Sequence, residues 1–248
     1  MTHTKPDSQT HDDHLLVLVV DDEPDLRELI QYNLTQSGHS VLTASDGVSA
    51  LELAQSKIPD VIVLDVMMPG LTGIEVTKRL RSQTQTSSIP IIMLTAKVQE
   101  AHELEGLHAG ADDYITKPFS MPILIARINS LSRRTKMDSD SGATLTVGPV
   151  SINLNEHLVT IDDLPIHLTI TEFRLLATLV QSKGKVLSRA ELISRAIGPA
   201  VTVTPRTVDV HITALRKKMG DQAILISTVR AVGYRADDPL PPHNPDAT

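Results

Sequence analysis

Twice in its first 65 residues the chain runs through apolar, largely β-branched side chains and stops abruptly on aspartate. LLVLVV ends at Asp21-Asp22, and VIVL ends at Asp65. Runs this short, with no polar alternation, read as strands buried on both faces, the pattern of a parallel sheet covered by helices. Pro69-Gly70 then breaks the chain into a loop after the second run. An acid at the carboxyl end of a buried parallel strand sits where open α/β sheets bind their ligands.

The intervening segments carry the helical period. Pro24 suits a first helical position, and Leu26, Leu29, Ile30 and Leu34 follow at helical spacing until Gly38. SVLTAS reads as a strand, and residues 46–57 as a helix through Val48, Leu51 and Ala54. After VIVLD come a helix around Ile74–Arg81, a strand IIMLT, a helix at about residues 99–109, a short strand at Tyr114–Thr116 and a helix over about residues 121–133. This alternation predicts an α/β fold, a doubly wound five-stranded parallel sheet with right-handed crossovers. In that topology the ends of strands one, three, four and five bring Asp21, Asp22, Asp65, Thr95 and Lys117 to one edge. Three carboxylates without thiols or paired histidines form a hard oxygen site suited to Mg²⁺. A carboxylate beside that cation can attack phosphorus, while Lys117 and the Thr95 hydroxyl position the phosphoryl oxygens.

Other chemistries are missing their motifs. No GxxxxGK[ST] appears, no GxGxxG follows the first strand, and position 67, which a DxD phosphatase would need as aspartate, is methionine. The chain has no cysteine, which excludes disulfides and zinc-thiolate sites and suits a reducing, cytoplasmic setting. Leu15–Val20 is too short to span a bilayer, and residues 1–13 read as a polar, disordered tail without a signal sequence.

Charge divides the chain. Residues 1–142 hold 12 Lys+Arg against 20 Asp+Glu, whereas residues 143–248 hold 11 against 10, and 206–235 hold 6 against 2. Between the halves, TKMDSDSGAT is polar and aperiodic, a linker. Short alternating stretches beyond it (TLTV, VSINL, LVTI, PIHL) predict about four antiparallel strands. Three helices follow, TEFRLLATLVQSK, Arg189–Ile197 and about 204–219, then a hairpin from ILISTV to Gly233-Tyr234-Arg235: a winged helix-turn-helix. In the third helix Val208, Ile212 and Leu215 face the core, leaving Arg206, Thr207, His211, Thr213, Ala214, Arg216 and Lys217 for a major groove. Arg230 in the hairpin is placed to reach a minor groove.

Four motifs in order, LVVDDE, VIVLDVMMPG, PIIMLTA and ADDYITKPF, resemble the receiver domain of bacterial two-component response regulators. TEFRLLATLV, VLSRAELI, RTVDVHITALRKKMG and ISTVRAVGYR resemble the effector domain of the OmpR/PhoB family. The resemblance implies a flavodoxin-like receiver at 14–134, a linker at 135–143, a winged-helix domain at 144–236 and a disordered tail at 237–248. It implies that Asp65 is the phosphoacceptor, that Asp21, Asp22, Asp65 and the Met67 carbonyl bind Mg²⁺, and that Thr95 and Tyr114 form a switch pair. Lys117 would be the phosphate partner, joined to Pro118 by a cis bond. The protein would be no enzyme beyond transfer onto Asp65 and slow autodephosphorylation.

For the second domain it implies phosphate contacts from Arg206, Lys217 and Lys218, base-edge contacts near Thr213, Ala214 and His211, and a minor-groove Arg230. The partners would be a sensor histidine kinase, promoter DNA in tandem half-sites, RNA polymerase and, on phosphorylation, a second copy; no membrane is involved. The alternative is a phosphorylation-independent DNA binder that keeps the receiver as a scaffold. The sequence departs from the family at three places. Ile197 stands where Trp is usual, and Thr213 and Ala214 replace longer polar residues on the reading helix. On the receiver's dimer face Asp112, Asp113 and Arg127 remain, but Glu103 and Ile123 stand where basic and acidic residues are common.

Overall fold

The computed structural model describes residues 14–96, 106, 109–137, 144–197 and 205–237. The first domain is a parallel sheet in the order β2-β1-β3-β4-β5, made of β1 Leu16–Val20, β2 Ser40–Ala44, β3 Val61–Asp65, β4 Ile91–Ala96 and β5 Asp113–Lys117. Helices α1 Pro24–Gln36, α2 Gly47–Lys57, α3 Gly73–Arg81 and α4 Met121–Met137 cover it. The helix expected near 99–109 lies mostly outside the described residues, as do Glu103 and both predicted tails except Asp237.

The period-two geometry of the strands splits the core into two layers. Leu18, Val20, Ile62, Leu64, Ile91 and Met93 pack on Ala50 and Ala54 of α2 and on Ile74, Val76 and Leu80 of α3. Val17, Val19, Val61, Val63, Ile92 and Leu94 pack on Ile30 and Leu34 of α1 and on Leu124, Ile128 and Leu131 of α4. Every residue of β3 is buried, as its unalternating sequence requires. Two helical positions read as core are instead exposed: Leu29 at 49% and Val48 at 59%. Ile30, on the same predicted stripe as Leu29, is buried, and so is Ala50 of α2.

Helix α4 continues to Met137, past the predicted domain end at residue 134. The second domain opens with the antiparallel sheet β6 Thr144–Val147, β7 Val150–Asn153, β8 Leu158–Ile161 and β9 Leu164–Ile166. Then come α5 Ile170–Gln181, β10 Leu187–Ser188, α6 Arg189–Leu192 with a π-helical continuation over Ile193–Ile197, and α7 Pro205–Met219. Strands β11 Ile226–Val229 and β12 Gly233–Ala236 form a hairpin, with β10 pairing on the free edge of β12. Helices α3, α5 and α6 each begin with a capping box, Thr72/Glu75, Thr169/Glu172 and Ser188/Glu191, which satisfies amide groups of the first turn. Gly233 is required at the β10–β12 crossing, since a Cβ there would fall 1.9 Å from the Leu187 carbonyl oxygen.

The two domains touch directly. Ile170 of α5 packs into the β1–β3 layer with Ile115 and Leu131, and Val210 of α7 packs into the other layer with Tyr114. Arg174 Nη2 donates to the Leu131 carbonyl at 2.6 Å.

Candidate functional site

Strand ends place the acidic cluster. Asp21 follows β1 and Asp65 closes β3, so the sheet presents both carboxylates at one edge. One oxygen from each of Asp21, Asp22 and Asp65 lies within 4.8 Å of the others. Asp21 and Asp65 are buried, while Asp22 is exposed. Lys117, at the end of β5, sends Nζ 2.7 Å from Asp21 Oδ2 and 3.3 Å from Asp65 Oδ2. One ammonium faces three carboxylates, so the cluster keeps excess negative charge that a divalent cation would neutralise. All-oxygen donors without thiol or imidazole fit Mg²⁺.

Burial holds the Asp65 carboxyl above its ordinary value, reinforced by Asp21 and opposed by the Lys117 charge. Burial works against the Lys117 ammonium, yet the hydrogen bond to Asp21 and the charge of Asp65 carry it upward. Thr95 is buried, and among the described residues its hydroxyl makes only a long 3.5 Å contact with the Ala96 carbonyl. Tyr114 is also buried, the Lys117-Pro118 bond is cis, and the Met67 side chain is 57% exposed. Gly73 lets α3 start directly beneath the site, because a Cβ there would lie 2.2 Å from the Asp65 carbonyl oxygen.

In the second domain, Val208, Ile212 and Leu215 of α7 are fully buried among α5 and the hairpin, as their spacing predicts. Arg206, Thr213 and Lys217 are exposed, and so is Arg230 in the turn between β11 and β12. The Thr213 hydroxyl donates back to the Asp209 carbonyl at 2.7 Å.

Residues 17–129 match the family model described as response regulator receiver domain, and 163–236 the one described as transcriptional regulatory protein, C terminal. The phosphate regulon transcriptional regulatory protein PhoB of Pseudomonas aeruginosa is 43% identical over 220 residues, covering 88% of this chain and 96% of that protein. The alkaline phosphatase synthesis transcriptional regulatory protein PhoP of Bacillus subtilis is 42% identical over 234 residues, covering 90% and 97%. The chain is an OmpR/PhoB-family response regulator. A solved structure of a RitR mutant spans 90% of the regulator and 99% of its own chain, with a TM-score of 0.75 and 28% identity. The regulator is thus a transcription factor of the two-component type, and no helix among its described residues is long and apolar enough to cross a membrane.

Several predicted contact residues of the regulator stand elsewhere than the sequence suggested. Thr207 and His211, read as groove-facing, are both 1% exposed, and His211 stands close to Asp112 and Arg81 of the receiver. Ala214, one turn further on, lines the same cleft with Arg81 and Gly110 of the receiver. Arg216 Nη2 is committed to the Ile226 carbonyl at 2.6 Å and the Thr228 hydroxyl at 2.8 Å, and its guanidinium stands 5.5 Å from the Tyr234 ring centre. Lys218 pairs with the buried Glu172 at 2.7 Å. On the receiver, the expected dimer residues are not an open face. Arg127 holds Asp113 in a buried ion pair at 2.6 Å, and Asp112 is 1% exposed. Ile123 is 49% exposed.

Sequence reading missed the residues that join the domains. Asp112 Oδ2 accepts from Arg81 Nη2 at 2.9 Å and from the Ile91 amide, while its Oδ1 accepts from the Thr171 amide of α5 at 3.1 Å. Arg81 is held further by the carbonyls of Gly110, Ser87 and Ile89. Arg81 stands with Lys78 and Arg79 in the last turn of α3, and helical periodicity assigned it no partner. Asp209 was missed as well: its Oδ1 takes both Arg189 Nε and the Tyr234 hydroxyl at 2.7 Å, tying α7 to α6 and β12.

Proposed function

We propose that Asp65 accepts a phosphoryl group from the phosphohistidine of a sensor histidine kinase, and that the phosphorylated protein binds promoter DNA as a dimer. An Asp65 oxygen attacks phosphorus in line, the P–N bond breaks, and the imidazole leaves with a proton taken up from solvent. Asp21, Asp22 and Asp65 would hold Mg²⁺, with the Met67 carbonyl as a further ligand, and the cation supplies charge neutralisation for the phosphoryl oxygens. Lys117 pairs with one of those oxygens, exchanging its contact with Asp65 for one with the product. The Thr95 hydroxyl, weakly bonded where it stands, donates to another. The chain does no chemistry beyond this transfer and its slow hydrolysis.

Movement of Thr95 is passed to Tyr114, which shares an apolar layer with Val210 of α7. That shared layer is the observation that carries the reading: a switch at the receiver edge bears on the DNA-reading helix through packed side chains. Release of α5 and α7 frees Asp112 and its surroundings for a second receiver, and frees Thr207, His211 and Ala214 for base edges in tandem half-sites. Arg206 and Lys217 contact phosphates, joined by Lys218 once it leaves Glu172, while Arg230 enters a minor groove. RNA polymerase is the onward partner, and the compartment is the cytoplasm.

The test is selection from random duplex DNA at one fixed salt, with and without Mg²⁺ and beryllofluoride. The expected result is tandem half-sites recovered only with the phosphoryl mimic. Identical sites in both conditions would favour a receiver that serves only as a scaffold, and no enrichment would end the DNA-binding reading.

A further inference from the structure

On α7, Thr207, Val210, His211 and Ala214 fall at i, i+3, i+4 and i+7 and so share one face. The receiver meets that face at Val210, His211 and Ala214, and the contact is apolar at Val210 but charged around His211. Among the described residues, Thr207 Oγ1 and His211 Nε2 are buried without a hydrogen-bond partner. Burying such atoms unpaired costs roughly 1–3 kcal/mol each, so the contact is held against a standing penalty. A neutral imidazole tolerates it; an imidazolium, with a second N–H and a full charge, does not.

The charged groups around the ring do not compensate. Asp112, just before β5, and Glu172 of α5 favour the imidazolium, whereas Arg81 of α3 and Lys218 of α7 disfavour it. Each of these carboxylates is already engaged by a cation, Asp112 by Arg81 and Glu172 by Lys218. The four charges therefore largely cancel, and burial decides: it pulls His211 below its ordinary value.

We propose that His211 makes the domain contact sensitive to pH, so that protonation of its ring drives α7 off the receiver and uncovers the DNA-reading face without phosphorylation. The sign follows from linkage. With the ring exposed in the open form and depressed in the closed form, the open form binds more protons. Above pH ~6.5 both forms are neutral and closure is unaffected. As pH falls through that value the open form gains a proton that the closed form refuses, and closure weakens by up to about tenfold per pH unit. The functional meaning rests on α7 being the DNA-reading helix, but the opening itself does not.

The full-length chain tests this without DNA. Because it contains no cysteine, a donor and an acceptor dye can be placed through Tyr32→Cys and Leu164→Cys, both exposed positions, one in each domain. The closed-to-open ratio should drop about tenfold between pH 7.5 and 5.5, and His211→Gln and His211→Leu should hold their ratios across that interval. Carbon-bound ring proton shifts of His211 should titrate below the ordinary histidine value in the wild-type chain. A wild-type ratio that does not move would overturn the proposal. So would variants that move with it, or a His211 that titrates at its ordinary value. Failure of the DNA-reading assignment would appear separately, in the duplex selection.

Discussion

Asp112 of the receiver caps a helix of the other domain: its Oδ1 accepts the backbone amide of Thr171, at 3.1 Å, in the first turn of α5. That turn leaves amides without intrahelical partners and carries the positive end of the helix dipole, so a carboxylate there is favoured twice. Arg81 and the Ile91 amide hold the same carboxylate from the receiver side. One aspartate therefore serves both the receiver's own packing and the contact between the domains.

Arg174 offers the cleanest way to loosen that contact, because its Nη2 reaches the Leu131 carbonyl across the interface at 2.6 Å. A hydrogen bond from a charged donor contributes roughly 1.5–3 kcal/mol. Arg174→Ala should raise phosphodonor-independent DNA affinity about tenfold. Fluorescence anisotropy with a selected duplex reads this, and an unchanged affinity would show that closure does not limit binding.

Arg216 and Arg230 should separate in their salt dependence. Arg216 braces the hairpin against α7, whereas Arg230 is exposed at the hairpin turn. Both Arg216→Gln and Arg230→Ala should weaken binding. Only Arg230→Ala should lower the slope of log affinity against log salt, by about 1 for the cationic charge lost from the minor groove. A lowered slope in Arg216→Gln would return that residue to the DNA surface.

Asp113 should leave a mark on stability against pH opposite in sign to that of His211. Burial pushes its carboxyl up to about 6, against the pull of Arg127. A carboxyl raised in the folded state contributes stability that is present below its unfolded value of 3.8 and is lost as pH rises through about 6. Urea midpoints of the wild-type chain should fall relative to Asp113→Asn as pH is raised from 4.5 to 7.5. Parallel profiles would contradict the assignment.

Gly73→Ala should cripple phosphorylation from outside the acidic cluster. Its Cβ would stand 2.2 Å from the Asp65 carbonyl oxygen, so β3 or α3 must shift. Acid-labile labelling by a small phosphodonor should fall at least tenfold while the far-ultraviolet spectrum stays folded, since productive geometry tolerates displacements well under 1 Å. Asp65→Asn should abolish the label altogether.

What the sequence determined by itself was local and periodic. Unbroken β-branched runs named the buried parallel strands, and the acids ending them named the edge where Asp21, Asp65 and Lys117 meet. Helical spacing picked Val208, Ile212 and Leu215 as the buried stripe of α7, because a stripe facing its own domain is written in one segment. The opposite face of that helix reads in sequence as groove-facing, and there tertiary structure decided otherwise. Whether Thr207 and His211 meet water, DNA or the receiver depends on a docking between elements far apart in sequence, such as Asp113–Lys117 and Pro205–Met219. The same holds for Arg81 and Asp112, whose side chains look like ordinary surface charges until the fold buries them together. A one-residue pattern carries the sign and size of a side chain; only the packed chain sets which partner removes it from water.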